Sequence, residues 1–242
     1  SSSSHARAST PASSGRACGR CERLNTCTCI RQQQLCGPNM ASAAQLMTIT
    51  GTSTIRTVPR DAMVALSNRL IEDIRSLPFP VISAVNGPCA GAGVGVALAA
   101  DMVLASRSAY FFLSFMPRLG IVPDLGSTWF LQRSAGRARA VGMSLLGERL
   151  SAQQALDWGL IWACVDDAEL NTQAQALAQR LAQLPAHAAQ EIRRTYDHAE
   201  SATLSEQLHY EASRQRELID RPEFMEGVRA FLEKRKPSWL VD

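Results

Sequence analysis

The chain has 242 residues, 46% of them hydrophobic and 19% charged, with a formal net charge of +3. That suits one globular domain, or one domain with a poorly structured end, able to bury a sizeable core. So small a charge gives no case for a nucleic-acid partner or an anionic membrane surface. The longest apolar run, Val94 to Ala100, is far short of the ~20 residues that a spanning helix needs.

No basic-then-apolar leader opens the sequence, so a cytoplasmic location is expected. Residues 1–57 differ from the rest. The first fourteen are rich in Ser and Ala, and Gly15 to Met40 is a basic, Cys- and Gln-bearing stretch with little apolar periodicity. Five of the seven cysteines (Cys18, Cys21, Cys27, Cys29 and Cys36) fall here. Their spacing, C-x-x-C followed by C-x-C, does not make two zinc knuckles, so no metal is assigned, and an N-terminal zinc module is kept only as an alternative. Met47 to Ile55 suits a short strand, and order is expected to begin near Val58.

Three segments follow: the atypical region 1–57, a core over 58–166 and a helical region over 167–242. From Asp61, apolar residues at Met63, Leu66, Leu70, Ile74 and Leu77 predict a helix ended by Pro78 and Pro80. Val81–Val85 predicts a buried strand, Val94–Ala100 a helix, and Met102–Ala105 and Tyr110–Leu113 strands. Short helices are predicted over 127–135, 137–146 and 152–158, the last capped by Ser151. Ile161–Val165 predicts a final strand. Helices are then expected over 168–184, 188–200, 205–220 and 223–234. Alternation of strand and helix at this spacing makes the core α/β.

The chemistry gathers between Pro80 and Gly126. Gly91, Ala92 and Gly93 follow a strand and open a helix. Small side chains there expose backbone N–H groups that have no partner within the helix and carry the positive end of its dipole, a place for an oxyanion. Close helix–sheet packing explains the same glycines equally well. Asp124 stands after Pro123 and ahead of a helical pattern. It suits a proton carrier in the same pocket, or an N-cap of that helix. His5, His187, His198 and His209 have no metal-like partner at helical spacing and read as surface or packing residues.

PVISAVNG followed by AGAGVGVALAAD, then GIVPDLGSTWFL and GRARAVGMSLLGERLSAQQALDWGLIWACVDD, resemble the crotonase superfamily, the enoyl-CoA hydratase/isomerase family. Val122-Pro123-Asp124 and the GLIWACVDD ending give a narrower likeness to its 1,2-epoxyphenylacetyl-CoA isomerases. The resemblance covers about three quarters of the chain, from about Asp61 onward. It implies a spiral of ββα units with a helical C-terminal oligomerisation region that makes a homotrimer or a dimer of trimers. It also implies an acyl-CoA thioester as substrate and no separate cofactor, since coenzyme A belongs to the substrate.

The resemblance places one oxyanion donor on the backbone N–H of Ala92, within Gly91-Ala92-Gly93. The family's two hydratase glutamates fall on Gly95 and on or near Met116. Neither is an acid, which argues against hydration, while Asp124 matches the acid of the isomerase branch. The expected activity is isomerisation of 2-(1,2-epoxy-1,2-dihydrophenyl)acetyl-CoA in phenylacetate degradation. The alternatives are an enoyl-CoA hydratase, a Δ3,Δ2-enoyl-CoA isomerase of fatty-acid oxidation, and a non-catalytic acyl-CoA-binding relative. The family's lead-in and its second oxyanion turn find no good match. Leu35-Cys36-Gly37 and Ala17-Cys18-Gly19 are the nearest, and the start is expected to be truncated, out of frame or diverged.

Overall fold

A computed structural model describes residues 29–36, 43–50 and 60–240, with side chains from Ser67 onward. Two sheets carry the core. The larger has the order β1-β2-β3-β5-β8, built from β1 (Cys29–Cys36), β2 (Ala43–Thr50), β3 (Val81–Val85), β5 (Met102–Ser106) and β8 (Ala163–Val165). β1 runs antiparallel to β2, and the remaining pairs are parallel. The smaller sheet joins β4 (Pro88–Ala90), β6 (Tyr110–Phe112) and β7 (Leu150–Ser151). The α/β class read from the sequence is the one observed.

All five residues of β3 are buried, as expected of a central parallel strand covered on both faces. Alternate side chains serve two cores. Val81 and Val85 point to the larger one, with α2 (Ala92–Leu98), Phe111, Leu131 and Met143. Ile82 and Ala84 join Leu104 and Val165 on the other face. There they meet α6 (Leu170–Ala182) through Leu170, Ala174, Ala178 and Ala182 at four-residue spacing, the three alanines letting the helix lie close to the sheet. The first helix after residue 166 thus shares the sheet's core.

The helices α1 (Arg60–Ser76), α3 (Ser127–Ala135), α4 (Arg137–Leu146) and α5 (Ala152–Asp157) lie within a residue of their expected bounds. Ser151 caps α5 in a reciprocal capping box: Gln154 N–H donates to Ser151 Oγ at 3.2 Å, and Ser151 N–H donates to Gln154 Oε1 at 3.1 Å. Before Val58 the sequence suggested only one strand, over 47–55. The backbone instead forms two, β1 and β2, with β2 lying earlier, over 43–50, in register with β3. Pairing to an already ordered neighbour, rather than local periodicity, defines these two strands.

Beyond α6 come α7 (Ala186–Ala199), α8 (Leu204–Ile219) and α9 (Pro222–Leu232). Arg193 of α7 ties them to the core. Its guanidinium donates to Asp101 Oδ1 at 2.8 Å, to the Phe79 carbonyl at 3.0 Å, to the Arg75 carbonyl at 3.1 Å and to the Leu77 carbonyl. Asp101 in turn accepts from the Val81 N–H at 2.7 Å. One side chain thereby satisfies carbonyls at the end of α1 and anchors the start of β3. Among the described residues, no helix is long and apolar enough to cross a membrane.

Candidate active site

Gly91 opens the site. Its backbone, at φ 56° and ψ −126°, takes a conformation that a side chain would strain. Its N–H donates to the Phe112 carbonyl at 2.8 Å, which fastens the turn to β6. α2 starts at Ala92, two residues earlier than the periodicity indicated, because the reversal at Gly91 leads straight into helical geometry. The first amides of that helix, at Ala92 and Gly93, have no carbonyl one turn back. Ala92 is exposed and Gly93 is buried.

Asp124 lies on the segment that leads into α3. It is not the N-cap of that helix. Gly126 occupies the cap position, and among the described residues no side-chain cap bond to this helix start is made. The Asp124 carbonyl instead accepts from Ser127 N–H at 2.9 Å, closing a tight turn. Its two central residues are both left-handed, Leu125 at φ 47° and Gly126 at φ 72°, as in a type I′ turn. The Asp124 carboxyl is thereby left free of a capping role. Partial desolvation raises its pKa above the ordinary aspartate value, against a smaller opposing pull from its own backbone N–H.

Two contacts bring these segments together. A side-chain carbon placed on Gly95, one turn into α2, would collide with the Leu125 carbonyl oxygen and stand 2.9 Å from both its carbonyl carbon and its Cβ. A carbon placed on Gly91 would lie 3.6 Å from the ring of Phe115. Phe115 begins a π-helical turn, Phe115–Leu119, which ends at Gly120 in a left-handed conformation. Met116, Leu119, Ile121 and Val122 are exposed along this turn and the irregular segment after it. The acid therefore sits beside an apolar rim and on a turn pressed against the amide-bearing helix. Sequence reasoning named Gly91, Ala92, Gly93 and Asp124 but missed the contact between Gly95 and Leu125. The Leu-Gly pair after an acid was its only local signal.

The other candidates lie elsewhere. His198 bonds Gln207 Oε1 through Nδ1 at 2.8 Å and stacks on Tyr210 with ring centroids 4.2 Å apart. His209 contacts the Ser205 carbonyl at 2.6 Å, and His187 faces Glu223 at 3.7 Å. All three serve the late helices, while His5 is outside the described residues. Among the described residues no group of three metal-ligating side chains forms. Cys29 and Cys36 stand at the two ends of an eight-residue strand, roughly 23 Å apart along the backbone at 3.3 Å per residue. Cys18, Cys21 and Cys27 lie outside the described residues, as do, of the two candidates for the second oxyanion turn, all of Ala17-Cys18-Gly19 and the Gly37 of Leu35-Cys36-Gly37. Cys89 is buried, which pushes its thiol up to about 12 and makes it a poor nucleophile.

Comparison with known proteins gives the family. Residues 52–241 match the family model described as Enoyl-CoA hydratase/isomerase. The chain is 48% identical over 172 residues to the 1,2-epoxyphenylacetyl-CoA isomerase of Escherichia coli K12, covering 71% of this chain and 65% of that protein. It is 45% identical over 170 residues to a probable enoyl-CoA hydratase of Rhodobacter capsulatus, covering 70% and 66%. The match thus spans just under two thirds of the length of these relatives. Among solved structures, an enoyl-CoA hydratase from Polaromonas sp. JS666 superposes with a TM-score of 0.70 at 36% identity, over 74% of this chain and 69% of that one.

Proposed function

The chain belongs to the enoyl-CoA hydratase/isomerase family, and on that premise we propose that it is an acyl-CoA isomerase whose proton carrier is Asp124. The substrate is a coenzyme A thioester. The thioester oxygen sits against the Ala92 N–H within Gly91-Ala92-Gly93. Asp124 removes a proton from carbon, and the electron pair left behind moves onto the thioester oxygen as an enolate. The amide stabilises that charge more strongly than it does the neutral carbonyl, which is how it lowers the barrier. The same carboxyl then returns the proton at another carbon, so the product is an isomer and no water is consumed.

The observation that carries this reading is the position of Asp124. It is the acid on a turn seated against α2, and it caps nothing. The positions resembling the hydratase pair, Gly95 and Met116, hold no acid. The likeness to a 1,2-epoxyphenylacetyl-CoA isomerase supports 2-(1,2-epoxy-1,2-dihydrophenyl)acetyl-CoA as the substrate and phenylacetate breakdown as the setting. The apolar rim at Ile121 and Val122 is compatible with a ring-bearing acyl group. A cytoplasmic, trimeric enzyme, with its core over 58–166 and an oligomerising region over 167–242, completes the reading.

The test is turnover of this ring-epoxide thioester by the wild type and by Asp124→Asn. The wild type is expected to isomerise it and the variant to lose roughly 10²- to 10⁴-fold in kcat, the usual worth of a positioned acid–base group. Undiminished turnover by the variant overturns the assignment of Asp124. Turnover of simple enoyl thioesters alone would move the substrate to the Δ3,Δ2-enoyl class.

A further inference from the structure

We infer that Gly95 is a positioning residue for Asp124, and that the space its missing side chain leaves is what lets the acid-bearing turn reach the site. The inference deepens the isomerase reading and rests on it for its activity measurement. α2 is buried from Gly93 to Leu98, so nothing on this side of the helix can move outward to make room. Into the gap at Gly95 comes backbone, not a flexible side chain: the Leu125 carbonyl group, together with Leu125 Cβ. Backbone cannot yield by changing rotamer. Any residue but glycine at 95 must therefore displace the turn itself.

The turn has a reason to resist and a way to fail. Leu125 holds φ 47°, a left-handed conformation that is a true outlier for a large apolar residue. Such strain persists only where the surroundings over-determine it. Here the anchor is burial of the Leu125 side chain, 8% exposed, in the larger core. Leu125 is locked from one side by its own side chain and from the other by contact of its carbonyl with Gly95. Asp124 immediately precedes it and inherits that placement. A methyl group at 95 pushes the carbonyl away, and the cheapest relief is for Leu125 to leave the left-handed region, which re-aims Asp124.

The contact also makes two chemistries exclusive at this site. With the turn in place, a carboxylate carried on α2 at position 95 has no room for even its first carbon.

The experiment compares Gly95→Ala, alone and together with Leu125→Gly, with the wild type in the full chain. Steady-state kcat and KM are measured on the ring-epoxide thioester. Separately, the Asp124 carboxyl is titrated by carbon NMR, its signal assigned by its loss in Asp124→Asn. A misplacement of the proton carrier by about 1 Å is expected to lower kcat on the order of 10²-fold while KM changes little. The Asp124 titration is expected to move from its wild-type position in both variants. Gly95→Ala with wild-type kcat and an unmoved Asp124 titration overturns the inference. Should Gly95→Ala not fold, the double variant Gly95→Ala with Leu125→Gly decides, since it removes the Leu125 Cβ and lets the turn give way to the added methyl; wild-type kcat and an unmoved Asp124 titration there overturn the inference equally. A wild type without turnover defeats the isomerase reading alone, because the carboxyl titration still reports whether position 95 sets the environment of Asp124.

Discussion

Asp124 is a carboxylate whose surroundings oppose its charge, and this has two consequences of opposite sign. For catalysis, the base must be ionised. Desolvation raises its pKa above that of an ordinary aspartate, so kcat/KM should fall as pH drops through that raised value, earlier than a free aspartate would dictate. For stability, the folded state holds the Asp124 proton more tightly than the unfolded chain does. The contribution of this group is therefore full below the unfolded pKa and is lost as pH rises through the folded one. Asp124→Asn, which carries no charge to desolvate, should match or exceed the wild type in melting temperature at pH 7 while losing turnover. A residue needed for its cap would show the reverse, and the structure gives that role to Gly126. The glycine opposite sharpens a second expectation. Neither the wild type nor Gly95→Glu should hydrate crotonyl-CoA, because the first lacks the acid at 95 and the second cannot house it beside Leu125. Hydration at about 10 per second, an ordinary enzymic rate, would contradict the first point if the wild type did it and the second if Gly95→Glu did.

Among the elements, α7 depends on Arg193, which is 11% exposed and shares a network with Asp101 and three carbonyls at the end of α1 and the start of β3. Removing the guanidinium takes the donor from the Arg75, Leu77 and Phe79 carbonyls and the nearest cation from Asp101, which keeps the Val81 N–H and the more distant Arg75. Arg193→Ala should cost about 2–4 kcal/mol, read as a lower urea midpoint at unchanged slope. Arg193→Lys should recover only part of it, since an ammonium cannot reproduce the planar fork. Nothing in the sequence singles out Arg193 among its neighbours, because its partners lie on other elements. Elements with strong periodicity or clear punctuation were legible: β3 from a β-branched run before Asn86-Gly87, α3 and α4 from glycines at both ends, and α5 from its serine cap. β4, β7 and the π-helical turn were not, since segments of three, two and five residues have no period to read. The site divides in the same way. Asp124 and the glycine trio stand out locally, whereas the fit of the Leu125 carbonyl on Gly95 exists only once α2 and the turn have packed.

At the scale of the whole molecule, the late helices present apolar surface that a lone subunit leaves in water. Ile192 is 60% exposed, Tyr196 75%, Phe231 83% and Leu232 73%. Between α7 and α9 runs a groove of about 460 Å³ whose walls include Ala188, Phe224, Val228 and Trp239. Single exposed apolar residues need no explanation, but a set this large on α7 and α9 is of the kind that marks an interaction surface. The family likeness proposes that further copies of the chain cover it, as a trimer or a dimer of trimers. Light scattering at micromolar concentration should then give a mass of three or six times the 26.3 kDa chain. Phe231→Glu with Leu232→Glu places charge on the most exposed part of that surface without touching the sheet or the Asp124 turn. The doubly substituted chain should dissociate while keeping its far-ultraviolet circular dichroism, because burying unpaired carboxylates between subunits costs more than the contact returns. A wild type that scatters as a monomer, or a double variant that stays assembled, would mean that α9 is not the oligomerising surface.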